Sequence, residues 1–271
     1  MTLLKTSCYE IAFMFIGSGA NGKSTFLKVL ESILGKNNVS NVSIHDISDN
    51  PFMRAEPDGK LANIYSDIEA SELKNLGVLK MIISGDSIVV SRKHQQPFKM
   101  ESFTKLIFSA NKFPKINDHT LAFFRRFMLI EWNQSFLSSP DRNLIDKLLA
   151  ERVGIFNLLT KTAKRIIDNK GLTYLKDPAK LKEMWEELSE PTYKYFNEKT
   201  VYSEGEDLER TVLYANYKKF CEDKKISPIN PTRFLKFLKE NDYEIQRTRR
   251  GDSQVEVIKN LKFRTEERVD R

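Results

Sequence analysis

The chain has 271 residues, 40% of them apolar and 30% charged, with 44 Lys and Arg against 37 Asp and Glu and a formal net charge of +7. That composition excludes disordered and fibrous classes, and the length suits roughly two domains. No stretch approaches the about 18 uncharged apolar residues of a membrane span, and Cys8 and Cys221 lie too far apart in sequence for a disulfide framework or zinc site.

Residues 11–16 are apolar but run straight into a glycine loop, not a cleavage site, so they are no secretion signal. The expectation is a protein of a reducing, cytoplasmic compartment with no membrane partner. From residue 11 to 132, β-rich runs (IAFMFI, LANIY, SIVV, KLIFSA, FMLIEW) alternate with helical patterns at 24–34 and 71–83. The alternation predicts an α/β class with a largely parallel sheet flanked by helices. Eight basic residues face three acidic ones over 85–126, which points to a polyanionic partner or, equally, to a solvated basic face.

Residues 133–142 read as a connection, 143–169 as a helix, 180–197 as a second helical stretch broken at Pro191, and 201–206 as a linker. Helices over 208–223 and 231–241, the second capped by Asn230 with Pro231 in its first turn, precede a hairpin over 243–248 and 254–258. The domains expected are 1–137, an α/β core; 138–200, a helical segment; and 201–271, a winged-helix-like unit.

Chemistry enters at Gly17, Ser18, Gly19, Ala20, Asn21, Gly22, Lys23 and Ser24, followed by Thr25, a phosphate-binding loop pattern between a strand and a helix. Glycines let successive backbone N–H groups and the helix start face phosphates. Lys23 is expected to bridge the β- and γ-phosphates of ATP, and Ser24 to hold Mg2+. The LANIY strand ends in Ser66-Asp67-Ile68-Glu69, which offers Asp67 as the second Mg2+ residue and Glu69 as the base that orients water. Asn111 ends the KLIFSA strand, where its amide can reach the γ-phosphate or the attacking water.

The ordered set GSGANGKST, LANIYSDIE, ISGDSIVVSRKHQQPFKMESFTKLIFSANKFP and HTLAFFRRFMLIEW resembles the superfamily 3 helicases, in their phage, plasmid and large-DNA-virus primase-helicase branch. The resemblance implies a modified AAA+ core and an ATP-driven DNA-unwinding motor. It also implies a homo-oligomeric ring, usually a hexamer, on single-stranded or forked DNA, with a primase domain or protein as a further partner. It places a DNA-touching hairpin before the asparagine strand, here with strands over 88–92 and 98–103 and Lys93, His94, Gln95 and Gln96 at or near the tip, which makes Arg92, Lys93 and His94 its DNA-binding candidates. It also places an arginine finger at Arg125-Arg126, Arg126 aligning best. Members often carry adjacent acids in the second motif, whereas Ile68 separates Asp67 from Glu69. They also carry an upstream helical collar, whereas this chain starts ten residues before its first strand, as a fragment or a separately encoded motor. The last unit resembles the winged-helix domain that often follows such cores, with Arg233, Lys236 and Lys239 outward and Arg247, Arg249 and Arg250 on the wing for DNA backbone. Two other functions share these features: a monomeric nucleotide kinase or other phosphotransferase, and a DNA-binding replication factor without unwinding activity, whose ATP site only regulates assembly.

Overall fold

The computed structural model describes residues 1–118, 120–172, 177–189, 191–224, 226–251 and 253–264, without the side chains at 191, 250 and 253. It divides into two compact units, Met1–Trp185 and Glu186–Arg271.

The first unit opens with β1 (Ala12–Ile16), α1 (Lys23–Leu34), β2 (Val39–Ser40), α2 (Ile44–Asp49) and β3 (Ala62–Tyr65). It continues with α3 (Leu76–Ser84), β4 (Ser87–Val90), β5 (Phe98–Glu101), β6 (Lys105–Ala110), α4 (Leu121–Phe124) and β7 (Phe127–Glu131). Then come α5 (Leu144–Ala150), α6 (Arg152–Asp168) and α7 (Pro178–Ser189), whose Leu181 and Trp185 join the first unit's core. The fold is α/β: a parallel sheet of order β2-β3-β6-β1-β7, with helices around it.

Burial on both sides explains the unbroken apolar strands. All six residues of β6 are buried. In β1, Ala12, Met14 and Ile16 belong to one core cluster and Phe15 to another, as the two-residue period of a strand requires. Trp185 anchors the first cluster: it stacks on Phe113 at 4.2 Å, meets Phe123 and Phe127 edge-on at 5.5 and 5.3 Å, and donates from Nε1 to the Pro114 carbonyl at 3.0 Å.

Register sets the site. Ile16 lies level with Ala110 of β6 and Glu131 of β7, and Tyr65 of β3 with Phe108 of β6. Gly17, Asp67, Asn111 and Trp132 therefore leave the sheet at one carboxyl edge, where open α/β sheets bind ligands.

Two expected helices differ. The one predicted from residue 71 starts at Leu76, because Leu73 bridges to Ile116 and donates its N–H to the Lys115 carbonyl, which keeps residues 71–75 extended. The single helix over 143–169 is two, separated at Glu151, whose N–H is shared between the Lys147 and Leu148 carbonyls.

In the second unit, α8 (Pro191–Lys199), β8 (Thr200–Tyr202), β9 (Leu208–Glu209), α9 (Arg210–Asp223) and α10 (Pro231–Glu240) lead to β10 (Ile245–Arg250), β11 (Ser253–Ile258) and β12 (Leu261–Phe263). The expected linker over 201–206 is partly strand instead, since β8 pairs with β12. β10, β11 and β9 form an antiparallel sheet. Tyr195, Tyr217, Phe234, Phe237 and Leu238 fill the unit's core. Asn230 caps α10 by accepting from the Arg233 N–H at 2.8 Å, and Pro231 takes the first turn, where its missing N–H costs nothing. Arg233, Lys236 and Lys239 lie on the exposed face of α10.

Candidate functional site

The phosphate loop joins β1 to α1 with two left-handed residues, Ala20 at φ 57° and Gly22 at φ 89°. Gly17 is required by proximity: a Cβ there would lie 2.4 Å from the Trp132 carbonyl oxygen. Gly22, the residue before α1, has no side chain with which to cap it, but Asn21 Oδ1 accepts from the Lys23 N–H at 3.5 Å, and the next N–H groups stand at the positive dipole end of the helix beside the loop.

Lys23, 4% exposed, is the hub. Its Nζ donates to the Gly17 carbonyl at 2.6 Å, to Asn21 Oδ1 at 3.1 Å and to Asn111 Oδ1 at 3.4 Å. Asn111 Nδ2 donates onward to Asp67 Oδ1 at 3.4 Å. Burial lowers the Lys23 pKa, and the Asp67 carboxylate partly restores it. Residues 88 positions apart are thus wired into one chain, Lys23 to Asn111 to Asp67.

Asp67 is exposed in a left-handed conformation, φ 67°, and is fixed by Ile68, whose buried side chain and N–H bond to the Ser109 carbonyl at 2.9 Å anchor the turn. Ser24 is exposed in the first turn of α1 and Thr25 is half-buried. Glu69 is exposed and stands outside the Lys23–Asn111–Asp67 chain. A carboxylate and a hydroxyl flanking a buried lysine and an amide suit a nucleotide's phosphates with a divalent cation.

The arginine pair divides. Arg126 Nε donates to Ser84 Oγ at 3.0 Å and Nη1 to the Ala122 carbonyl at 2.6 Å, and Nη2 lies 3.6 Å from Glu10 Oε2. Arg125 is half exposed, with its Nη2 3.1 Å from the same Glu10 oxygen.

At the hairpin, β4 and β5 pair antiparallel, Ser87 to Glu101 through Val90 to Phe98. Lys93 and His94 are exposed at the turn, His94 at φ 62°. Arg92 is engaged within the chain: it pairs with Asp58 at 3.0 Å, and its guanidinium lies 4.8 Å from the Phe98 ring centroid. On the second unit's hairpin, Arg249 is exposed and Arg247 lies 3.5 Å from Glu256; the Arg250 side chain falls outside the described residues.

Sequence reasoning missed Glu10, which braces both arginines from more than 110 positions away and carries no local signal. It also missed the second role of Asn21, which accepts from Lys23 while donating from Nδ2 to the Trp132 carbonyl at 3.1 Å. Trp132 was findable, since it follows the strand beside β1. It clusters with Phe15 and Phe26 at centroid distances of 5.9 and 5.7 Å.

A family of unknown function (DUF5906) matches residues 15–126, a stretch that holds the phosphate loop, Asp67, the hairpin, Asn111 and both arginines. A putative helicase of Acanthamoeba polyphaga mimivirus is 25% identical over 149 residues, 50% of this chain and 15% of that protein. A putative helicase of Invertebrate iridescent virus 6 is 28% identical over 144 residues, 49% of this chain and again 15% of the relative. The chain is similar to viral helicase-like proteins. Among solved structures, the apo C-terminal region of NrS-1 aligns at 14% identity and TM-score 0.47, covering 93% of this chain and 67% of that one. A JCV helicase aligns at 17% and TM-score 0.41, covering 69% and 55%. No helix among the described residues is long and apolar enough to cross a membrane.

Proposed function

We propose that this chain is an ATP-dependent DNA helicase motor of the superfamily 3 type that acts in the replication of a virus, phage or plasmid. The observation that carries the reading is the bonded chain Lys23–Asn111–Asp67 at the carboxyl edge of the sheet. The strand that ends in Asn111 is preceded by a hairpin with an exposed basic tip. The viral putative helicases that match half the chain support the same reading.

In this reading the phosphate loop and Lys23 hold the triphosphate of ATP, while Ser24 and Asp67 hold Mg2+. The cation, when bound, neutralises charge on the β- and γ-phosphates. Glu69 orients the attacking water, and Asn111 couples Lys23 to Asp67 while presenting its amide to the γ-phosphate. The arginine pair of a neighbouring copy completes the pocket, which makes hydrolysis depend on assembly, in a ring of six. Fingers of this kind contribute roughly 10³–10⁵ in rate. The two arginines are separable: both pair with Glu10, but Arg126 adds hydrogen bonds to Ser84 and Ala122, whereas Arg125 is half exposed. Lys93 and His94 contact the strand in the channel, with Arg92 behind them, and Arg249 and Arg250 of a winged-helix-like unit contact duplex backbone. A primase domain or protein supplies the partner activity.

The test is ATP hydrolysis with and without single-stranded DNA, together with displacement of a forked duplex and solution mass with ATP, Mg2+ and DNA. Stimulated hydrolysis, strand displacement and a ring-sized mass are expected. A monomer that turns over ATP at full rate without DNA would sink the motor, and hydrolysis without displacement would leave only a DNA-binding factor. Rescue of turnover on mixing Lys23→Ala with an Arg125→Ala or Arg126→Ala chain tells which arginine crosses to the neighbour.

A further inference from the structure

Beside the phosphate loop lies a cleft of about 360 Å3, floored by Asn21, Gly22 and Thr25 and walled by Phe26, Trp132, Phe136 and aliphatic side chains of α1, α5 and α6. None of the hydrolytic roles proposed above uses its apolar wall. Phe26 is 44% exposed, Phe136 52% and Leu144 37%. Apolar groups that meet water around a concave site suit a ligand with an apolar face. Gly22 and Thr25 belong both to this cleft and to the start of α1, so its occupant is continuous with whatever phosphates the loop holds.

We infer that the cleft seats the base and ribose of the nucleotide and does so without reading the edge of the base, so that the substrate class is purine nucleoside triphosphates, GTP as well as ATP. The inference rests on the phosphate-loop reading.

The argument is one of hydrogen-bond accounting. Asn21 is buried; its Oδ1 accepts from Lys23, and one of its two amide N–H groups donates to the Trp132 carbonyl. The Trp132 N–H donates to the Ile16 carbonyl at 2.8 Å and the Phe136 N–H to the Ala20 carbonyl at 2.9 Å, while the Phe136 carbonyl accepts from Ser139 at 3.2 Å. The Trp132 indole N–H has no hydrogen-bond partner among the described residues, but it is buried and offers no accessible surface to a base. Thr25 is the other polar side chain, and it sits next to Ser24 at the phosphate end. A site that hydrogen-bonds its substrate rejects the wrong one by about 10⁴–10⁵, whereas one that only packs discriminates by about 10–200-fold. Packing against Phe26 and Phe136 favours the larger purine rings over pyrimidines and leaves adenine and guanine nearly equivalent.

The experiment is equilibrium binding of ATP, GTP and inorganic tripolyphosphate, each with Mg2+, to the full chain and to its Phe26→Ala and Phe136→Ala variants, both changes at exposed positions. ATP and GTP are expected to bind within about fivefold of each other, and each variant to weaken both by roughly tenfold, the loss of one aromatic face against a base. Tripolyphosphate affinity stays within about twofold, which also reports that the loop is folded. A preference for ATP above about 100-fold overturns the edge-blind site. Nucleotide affinity unchanged in both variants, or tripolyphosphate lost in parallel with nucleotide, overturns the base seat. Failure of all three ligands to bind the unaltered chain overturns the phosphate-loop reading and the inference with it, whereas tripolyphosphate binding that Lys23→Ala abolishes upholds that reading whatever the nucleotides do.

Discussion

The phosphate loop and the β4–β5 hairpin each carry a lysine that the proposed function sets against phosphate, and they hold it in opposite ways. Lys23 is buried, carries three hydrogen bonds within its own chain and has its pKa lowered by burial. Lys93 is exposed at a turn whose neighbour Arg92 is already paired with Asp58. A buried ammonium is positioned before any ligand arrives, at a desolvation cost that its partners must offset. An exposed one is mobile, screened by salt, and contributes through charge alone. The first arrangement suits chemistry at one atom; the second suits a contact that must be made and released along a strand.

The contrast breaks most visibly at Lys23. Lys23→Ala is expected to lower ATP turnover by about 10²–10³, read as DNA-stimulated phosphate release, and a variant that keeps more than a tenth of the rate would remove the lysine from the site. Next come the arginines. Arg126→Ala, which strips a half-buried network, should cost about 1–3 kcal/mol in denaturant unfolding, while Arg125→Ala, with one exposed pair to Glu10, should change stability by less than about 1 kcal/mol. Equal losses would show that the two side chains are not divided as their contacts indicate.

Lys105 extends the comparison to a buried lysine outside the site. Burial lowers its pKa to about 8, with a nearby Cys8 opposing, and its Nζ donates to the Thr6 and Phe103 carbonyls. Between about pH 8 and the ordinary value of 10.5 the unfolded chain keeps a proton that the folded chain releases, so stability rises with pH across that window, and the penalty is complete below it. The expected gain is on the order of 2 kcal/mol, measured as the unfolding free energy at pH 7.5 and 10. Lys105→Met should remove that rise.

The smallest effect belongs to the hairpin. The proposed ring of six, with one backbone contact per copy, predicts a log affinity against log salt slope near about −4 on single-stranded DNA. Lys93→Ala should flatten it while leaving ATP binding and the melting temperature unchanged; a slope that does not move removes the tip from the DNA path.

Much of the sheet's carboxyl edge was legible because its signals are local. Gly17 through Ser24 announce a phosphate loop by spacing, and strands flanked by short turns place Asp67 and Asn111 after their runs. Helix ends were less legible. Residues 71–75 carry a helical pattern, yet the Leu73 pairing with Ile116 holds them extended, a contact 43 positions away that no window of sequence contains. Arg92 entered as a DNA-binding candidate through the resemblance, but what engages a surface cation depends on what folds beside it, here Asp58 and Phe98. Glu10 gave no signal at all, because a lone carboxylate near a strand acquires meaning only from the arginines brought to it.

By itself the sequence determined the α/β class, the phosphate loop and the acidic and amide residues at strand ends, since glycine spacing and apolar periodicity are properties of neighbouring residues. Only the tertiary structure decided that Lys23, Asn111 and Asp67 share one hydrogen-bonded chain, that Glu10 holds the arginine pair, and that Trp132 and Phe26 wall a cleft. Parallel register, set by packing on both faces of the sheet, is what brings residues from four separate strand ends within bonding distance.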